Sequence, residues 1–372
     1  MSLDVCLCAD TIGFPDGGGH AWAYLNWALG LKNAGCDVIW LEEVGPRVPF
    51  EKLHSQFTNL QQRLQPYGLA DRIVILQVGR GCLSESLPTT PLEEAAQAEL
   101  LVNLRYGLDC SVVRSFRRSV MVDIDPGLTQ IWMYHGQIEV APHTLYYSIG
   151  ETVGTPEALF PDGGRKWRHT PPPVSLDAWP VCPASPDAPF RTVSNWWDEW
   201  FAHHGASYDN SKRAGFLPYF DLPRHTSQKL ELAISLAADQ RERAELEPLG
   251  WTVKRAEEVA GTPSAYQSYL QTAKGEFSCA KPSYTRLETA WVSDRTICFL
   301  ASGKPAVVQH TGKSRYLPDA DGLLRFQTPT EAVAHLETIA ADYPKHAKRA
   351  RALAEEHFDA RKVTTRILTE VL

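Results

Sequence analysis

The stretch Ser293-Asp-Arg-Thr-Ile-Cys-Phe-Leu-Ala-Ser-Gly-Lys-Pro-Ala-Val-Val-Gln-His-Thr-Gly312 decides how the rest of the chain is read. It predicts a short helix over 293–301, capped by Ser293 and carrying the acidic Asp294 in its first turn. Gly303 stands where a helix should stop, and Pro305 prevents it from resuming. An apolar strand over 306–308 follows, ending in the polar loop Gln309-His310-Thr311-Gly312. A helix feeding a buried strand whose carboxyl end carries polar groups is how open α/β sheets build ligand crevices. Arg295 in the first helical turn opposes the helix dipole unless it has a partner. A bound diphosphate, or a buried carboxylate such as Glu288, would supply one.

This segment resembles the donor-site helix, tight glycine turn and strand of the GT-B-fold glycosyltransferases, in particular a branch with the pattern S-x-R-x-x-x-x-L-A-x-G-K/R-P. The chain from Leu317 through Gly322-Leu-Leu-Arg-Phe326 to Leu372 is similar to that family's ending. The resemblance implies two Rossmann-like α/β domains facing across a cleft, with a C-terminal helix crossing back. It also implies a nucleotide-sugar donor bound by Ser293, Arg295, His310, Thr311 and Gly312. One position departs from the pattern. Many members carry a ribose-holding glutamate three residues after the arginine, and this chain has Cys298 there. Either the ribose is held differently, the donor differs, or sugar transfer has been lost.

Working outward, 372 residues favour two domains over one, and 44% hydrophobic with 22% charged residues is a globular composition. A net charge of −7 argues against a broad nucleic-acid surface. The eight cysteines form no C-x-x-C pair and mostly sit in apolar runs, which points to buried thiols in a reducing, cytoplasmic compartment. No apolar run is long enough to span a membrane, and peripheral contact with one stays open.

At the other end of the chain, an apolar strand over 3–9 leads into a loop ending in Gly17, Gly18 and Gly19. A helix over 20–34 and a strand over 37–42 follow, which together make half of a nucleotide-binding α/β unit. Gly18 and Gly19 would let backbone amides approach a diphosphate at a helix start. The bland reading is a tight turn, Pro15-Asp-Gly-Gly. The run is neither G-x-G-x-x-G nor a P-loop. His20 opens the helix, and histidine is the side chain that ordinarily titrates near neutral pH. The run from Gly17 to Val38 also resembles the GT-B opening motif, in which some inverting members use a nearby histidine as the base for the acceptor hydroxyl. A histidine that merely packs the helix start is the other reading.

Further along, the pattern predicts helices over 50–64 and 93–105, and a strand from Val120 running into Asp123 and Asp125. Those aspartates, with His135 beyond the next short helix, are candidate acceptor-side groups. Cap or hydrogen-bond roles fit the aspartates better than a metal site does. Residues 155–189 are proline-rich with interspersed tryptophans, an extended crossing between an N-terminal domain (1–189) and a donor domain (190–357). Lys212 and Arg213 are weaker phosphate candidates, with solvated surface charge the plainer account. A helix is predicted over 226–238, then strands near 251 and 276 and a helix over 263–274. The terminal segment 358–372 should dock on the N-terminal domain.

The implied activity is transfer of a sugar from a nucleoside diphosphate such as UDP to an acceptor hydroxyl, with no metal or other cofactor. Two alternatives stand beside it: a catalytically silent sugar or nucleotide binder, and an epimerase or phosphorylase on the same scaffold.

Overall fold

A computed structural model describes residues 3–236 and 240–372. Two parallel sheets carry the molecule. The first is built from β1 (Leu3–Ala9), β2 (Cys36–Val44), β3 (Ile73–Gln77), β4 (Gly81–Cys82), β5 (Leu100–Asn103), β6 (Ser119–Asp123), β7 (Leu145–Ser148) and β8 (Trp167–His169). Its strand order is β4-β3-β2-β1-β5-β6-β7-β8, with only β4 antiparallel to its neighbour. The order reverses between β1 and β5, so the carboxyl ends of those strands open a crevice. Asp10, Arg105 and Tyr106 follow there.

The second sheet uses β9 (Phe190–Ser194), β12 (Leu230–Ile234), β13 (Thr252–Arg255), β14 (Gly275–Ser278), β15 (Ala306–Gln309) and β16 (Leu323–Phe326), in the order β13-β12-β9-β14-β15-β16. A hairpin of β10 (Trp200–His203) and β11 (Ala206–Asp209) stands apart from it. Here the order reverses between β9 and β14, whose carboxyl ends lead into Asn195 and Lys281. The two switch points border the same cleft, which is why the chemistry concentrates there.

Two predicted helices are corrected. Residues 93–105 give only a short helix, Leu92–Ala95, followed by β5. All four residues of β5 are buried between β1 and β6, and a flat apolar run covered on both faces is stable only as a strand. Residues 226–238 instead contain β12, buried throughout between β9 and β13, despite good helix formers in the run. The end of that predicted helix, 237–238, lies outside the described residues. Elsewhere pattern and structure agree closely, as for the helix Phe50–Leu64, whose Leu53, Phe57, Leu60 and Leu64 share the buried face.

Helix Gly18–Asn33 is the central strut. It is buried on most sides and packs on helix Pro263–Gln271, helix Asp294–Ala301 and the terminal helix Ala360–Val371. At Gly30 a Cβ would come within 2.7 Å of the Ala360 carbonyl, so the terminal helix lies almost backbone to backbone against it. The terminal helix is also tied to the first domain by Glu370, which accepts from the Tyr147 hydroxyl at 2.7 Å and from Arg168 at 2.6 Å. The proline-rich crossing is ordered by its tryptophans. Trp179 is fully buried, its ring 4.7 Å from that of Trp22. Among the described residues, no helix is long and apolar enough to cross a membrane.

Candidate functional site

The cleft has two lobes, of 580 and 670 Å³, each within the range that holds a small ligand. Phe14, His20, Lys281, Asp294 and Arg295 line both, so the lobes form one continuous space.

On the first-domain side, His20 sits in the opening turn of the central helix. Its Nε2 lies 2.6 Å from the carbonyl of Asp10. A carbonyl only accepts, so Nε2 carries the proton and Nδ1 is left as the basic nitrogen. The ring is braced by Phe14 at 4.5 Å and Tyr24 at 5.2 Å. Asp10 is itself fixed: its carboxylate meets Arg105 at 2.6 Å, and Arg105 also reaches Glu43 on β2 at 3.5 Å. Arg105 and Tyr106 line the cleft beside His20. Burial, with Asp125 and Asp10 adding to it, pushes the Tyr106 phenol up to about 12, so it stays protonated as a donor. The sequence pattern singled out neither: Arg105 falls at the end of the predicted helix 93–105 and Tyr106 just beyond it.

On the second-domain side, three cations line the cleft. Lys212 is buried, donates to the Cys279 carbonyl at 2.6 Å, and is pushed down to about 7 by burial and then by Arg295 and Lys281. Lys281 pairs with Asp198. Each nitrogen of Arg295 bonds within the protein: Nε to Glu276 at 2.7 Å, Nη1 to the Val193 carbonyl at 2.9 Å, and Nη2 to the Ser278 hydroxyl at 2.6 Å. Its carboxylate partner is therefore Glu276 on β14, and not Glu288. Burial opposes its charge, but Glu276 and its other neighbours outweigh that and hold its pKa above the ordinary value. Ser293 caps its helix as expected, its hydroxyl accepting from the Arg295 amide at 3.2 Å. Arg213, by contrast, faces the surface, paired with Glu245 at 2.8 Å.

The remaining sequence candidates separate cleanly. Asp125 lines the cleft and accepts from the Tyr284 hydroxyl at 3.2 Å, a contact across the two domains. Tyr284 stacks on Trp291 at 4.0 Å, giving the cleft an aromatic wall that the sequence did not single out. Asp123 is corrected. It is fully buried and accepts from Gln130, Ser148 and Thr129 at 2.7–2.8 Å, so it organises the end of β6 and does not face the cleft. His135 is also corrected: it is exposed beside Tyr134 and lies outside both lobes. His310, Thr311 and Gly312 lie outside the two lobes as well. Thr311 donates to the Trp291 carbonyl at 2.6 Å and accepts from the Ala290 amide at 2.7 Å through its own carbonyl, bracing the aromatic wall from behind.

Gly18 and Gly19 line the second lobe, and their lack of side chains has a visible structural use. A Cβ on Gly18 would collide with the carbonyls of Ala260 and Thr262, and one on Gly19 would lie 2.5 Å from the Tyr266 ring. The glycines let the second domain approach the start of the central helix. Cys298 lies outside the cleft, buried against that same helix, with its thiol 3.6 Å from the Asn26 amide.

With this geometry in view, solved structures of like shape are informative. HepE from Anabaena, in complex with UDP and glucose, matches with a TM-score of 0.55 and 12% identity over 99% of both chains. An alpha-glucosyltransferase in complex with UDP and a 13-mer DNA matches at 0.63 and 8% identity, again over 99% of both. AviGT4, a glycosyltransferase of avilamycin A biosynthesis, matches at 0.54 and 14%, over 99% of this chain and 96% of that one. No protein-family model matches the chain, and no curated protein matches it in sequence. The likeness speaks to the fold: this is the GT-B arrangement, two Rossmann-like domains facing across a cleft.

Proposed function

We propose that the chain is a glycosyltransferase that moves a sugar from a nucleoside diphosphate to an acceptor hydroxyl without needing a metal. The observation that carries this reading is the convergence of Lys212, Lys281 and a helix N-terminus from one domain on the cleft that His20 borders from the other. UDP is the first donor to try, because similar folds have been solved as complexes with it.

In this reading the diphosphate lies against Lys212, Lys281 and the amides that open helix Asp294–Ala301. Lys212 suits that role because an arriving anion favours its charged form, and the charge then offsets the one that builds on the leaving diphosphate. Arg295 supports the site indirectly, by keeping Glu276 neutralised beneath it. The acceptor hydroxyl attacks the anomeric carbon as the bond to the diphosphate breaks, and its proton passes to Nδ1 of His20 if the configuration inverts. Asp10, pinned by Arg105, holds the imidazole in the tautomer this requires. If configuration is retained, His20 positions groups and takes no proton. Closure of the two domains excludes water, the competing acceptor.

A catalytically silent nucleotide binder is the second reading, favoured by the burial of Cys298 where related patterns place a ribose-binding glutamate. Thermal stabilisation by UDP, GDP and ADP, followed by a donor-hydrolysis assay, separates the two. Binding with turnover supports the transferase, binding alone supports the silent protein, and no binding removes both. His20→Ala should lower turnover by at least about a hundredfold while leaving UDP affinity within about twofold; full activity would take His20 out of the mechanism.

A further inference from the structure

A third cavity, of 290 Å³, lies where the two domains and the terminal segment meet. Ile149, Pro171, Pro172, Val292, Leu317 and Phe358 form an apolar wall, and Glu151, His169, Glu356, His357 and Arg366 supply the polar remainder. Ile149 and Pro172 also line the main cleft, so the two spaces share an edge.

The polar groups around this cavity are largely committed elsewhere. Glu151 is spent on the Ser314 hydroxyl and on the Arg315 amide at 2.7 Å. Arg366 donates to the His169 carbonyl at 3.2 Å. The His169 imidazole stacks on Tyr316 at 4.9 Å and 11°, and burial, followed by Arg366, pushes it down to about 4, so it is neutral at physiological pH. Tyr316 is nonetheless 58% exposed at the mouth. The cavity thus offers an apolar wall beside a stacked ring pair, with its ionisable groups bonded to other parts of the protein. At 290 Å³ it suits a small group, and its arginine, Arg366, is turned to the His169 carbonyl at 3.2 Å.

We infer that this cavity receives an uncharged apolar tail carried by the hydroxylated acceptor, which leaves the main cleft along the edge made by Ile149 and Pro172. The role as an acceptor subsite rests on the transferase reading above. The acceptor class is then an amphiphile: a hydroxyl-bearing head near His20 and a short alkyl chain or single ring in the cavity. Each methylene buried there should tighten binding by about fourfold.

The test uses n-alkyl β-D-glucosides, methyl to octyl, titrated calorimetrically into the full chain below their micelle concentrations, with UDP present. Affinity should climb with chain length by about fourfold per methylene and level off near hexyl, where the cavity is full. Leu317→Phe, which fills the cavity, and Tyr316→Ala, a change at an exposed position, should both flatten the series while leaving UDP affinity unchanged. An affinity independent of chain length, or an equal climb in both variants, would overturn the assignment. Failure of UDP to bind the unaltered chain would instead remove the transferase reading, and with it the tail's identity as part of an acceptor. The chain-length series would still report on the cavity.

Discussion

The side-chain amide of Asn26 lies 3.6 Å from the thiol of Cys298, and the two residues belong to different domains. Asn26 also accepts from the backbone amide of Ser175 in the proline-rich crossing at 3.0 Å. One side chain therefore joins the central helix, the crossing and the helix that borders the cleft. Both Asn26 and Cys298 are 1% exposed. The position that related patterns reserve for a ribose-binding glutamate is here part of a sealed domain boundary.

A carboxylate at that boundary would be buried near Asp294 and Glu276, with the neighbouring Arg295 already paired to Glu276. Cys298→Glu should cost about 3 kcal/mol or more of stability, whereas Cys298→Ala should cost about 1–2 kcal/mol as a small cavity. Urea unfolding of the two variants measures the gap. Equal stability would mean that the boundary opens readily in solution.

Arg295 and Glu276 form a buried pair, 2.7 Å apart, with Glu276 fully inaccessible. Removing the cation alone strands a buried carboxylate, so Arg295→Met should destabilise the protein by about 3–5 kcal/mol. Adding Glu276→Gln should restore a large part of that loss. A double-mutant cycle in urea reads the coupling; additive losses would assign Arg295 to the ligand and not to the fold.

If the proposed diphosphate lies against Lys212, its affinity should depend on pH. The Lys212 amine is held near 7 in the folded protein, against an ordinary lysine value of 10.5. Between those values the unfolded chain binds the extra proton, so this group makes stability rise with pH across that window. The cost of burying its charge is present in full below pH 7. A bound diphosphate reverses the preference and draws a proton onto Lys212. UDP affinity should therefore fall as pH rises above about 7, by up to about tenfold per pH unit. The terminal phosphate ionises near ~6 and does not contribute a slope there. Lys212→Met should bind more weakly at pH 7 and lose the slope; calorimetry from pH 7 to 9 checks both.

Asp198 competes for a cation that the proposed donor would use. Its carboxylate pairs with Lys281 at the cleft, both side chains being about a quarter exposed. Asp198→Asn should free Lys281 and tighten UDP binding by about 0.5–1 kcal/mol, the scale of a partly exposed pair. Weaker binding in that variant would mean that Asp198 orients Lys281 and does not compete with the ligand.

The amino-acid sequence by itself determined the α/β character, the central helix after the glycine loop and the Ser293-capped helix. These rest on local signals: apolar spacing, a side-chain cap, and Gly303 followed by Pro305. It read a helix through residues 100–103 and 230–234, where β5 and β12 are buried strands because neighbouring strands flank each on both sides. Tertiary structure alone decided which polar groups face the cleft. Asp123 and Asp125 are two residues apart, yet one is spent inside the sheet and the other meets Tyr284 across the cleft. Lys212 and Arg213 are adjacent, yet one is buried among cations and the other is paired at the surface. Spacing along a chain records which side of an element a residue occupies. What lies opposite that side, and so whether its charge is neutralised, exposed or left waiting, is supplied by segments far away in sequence.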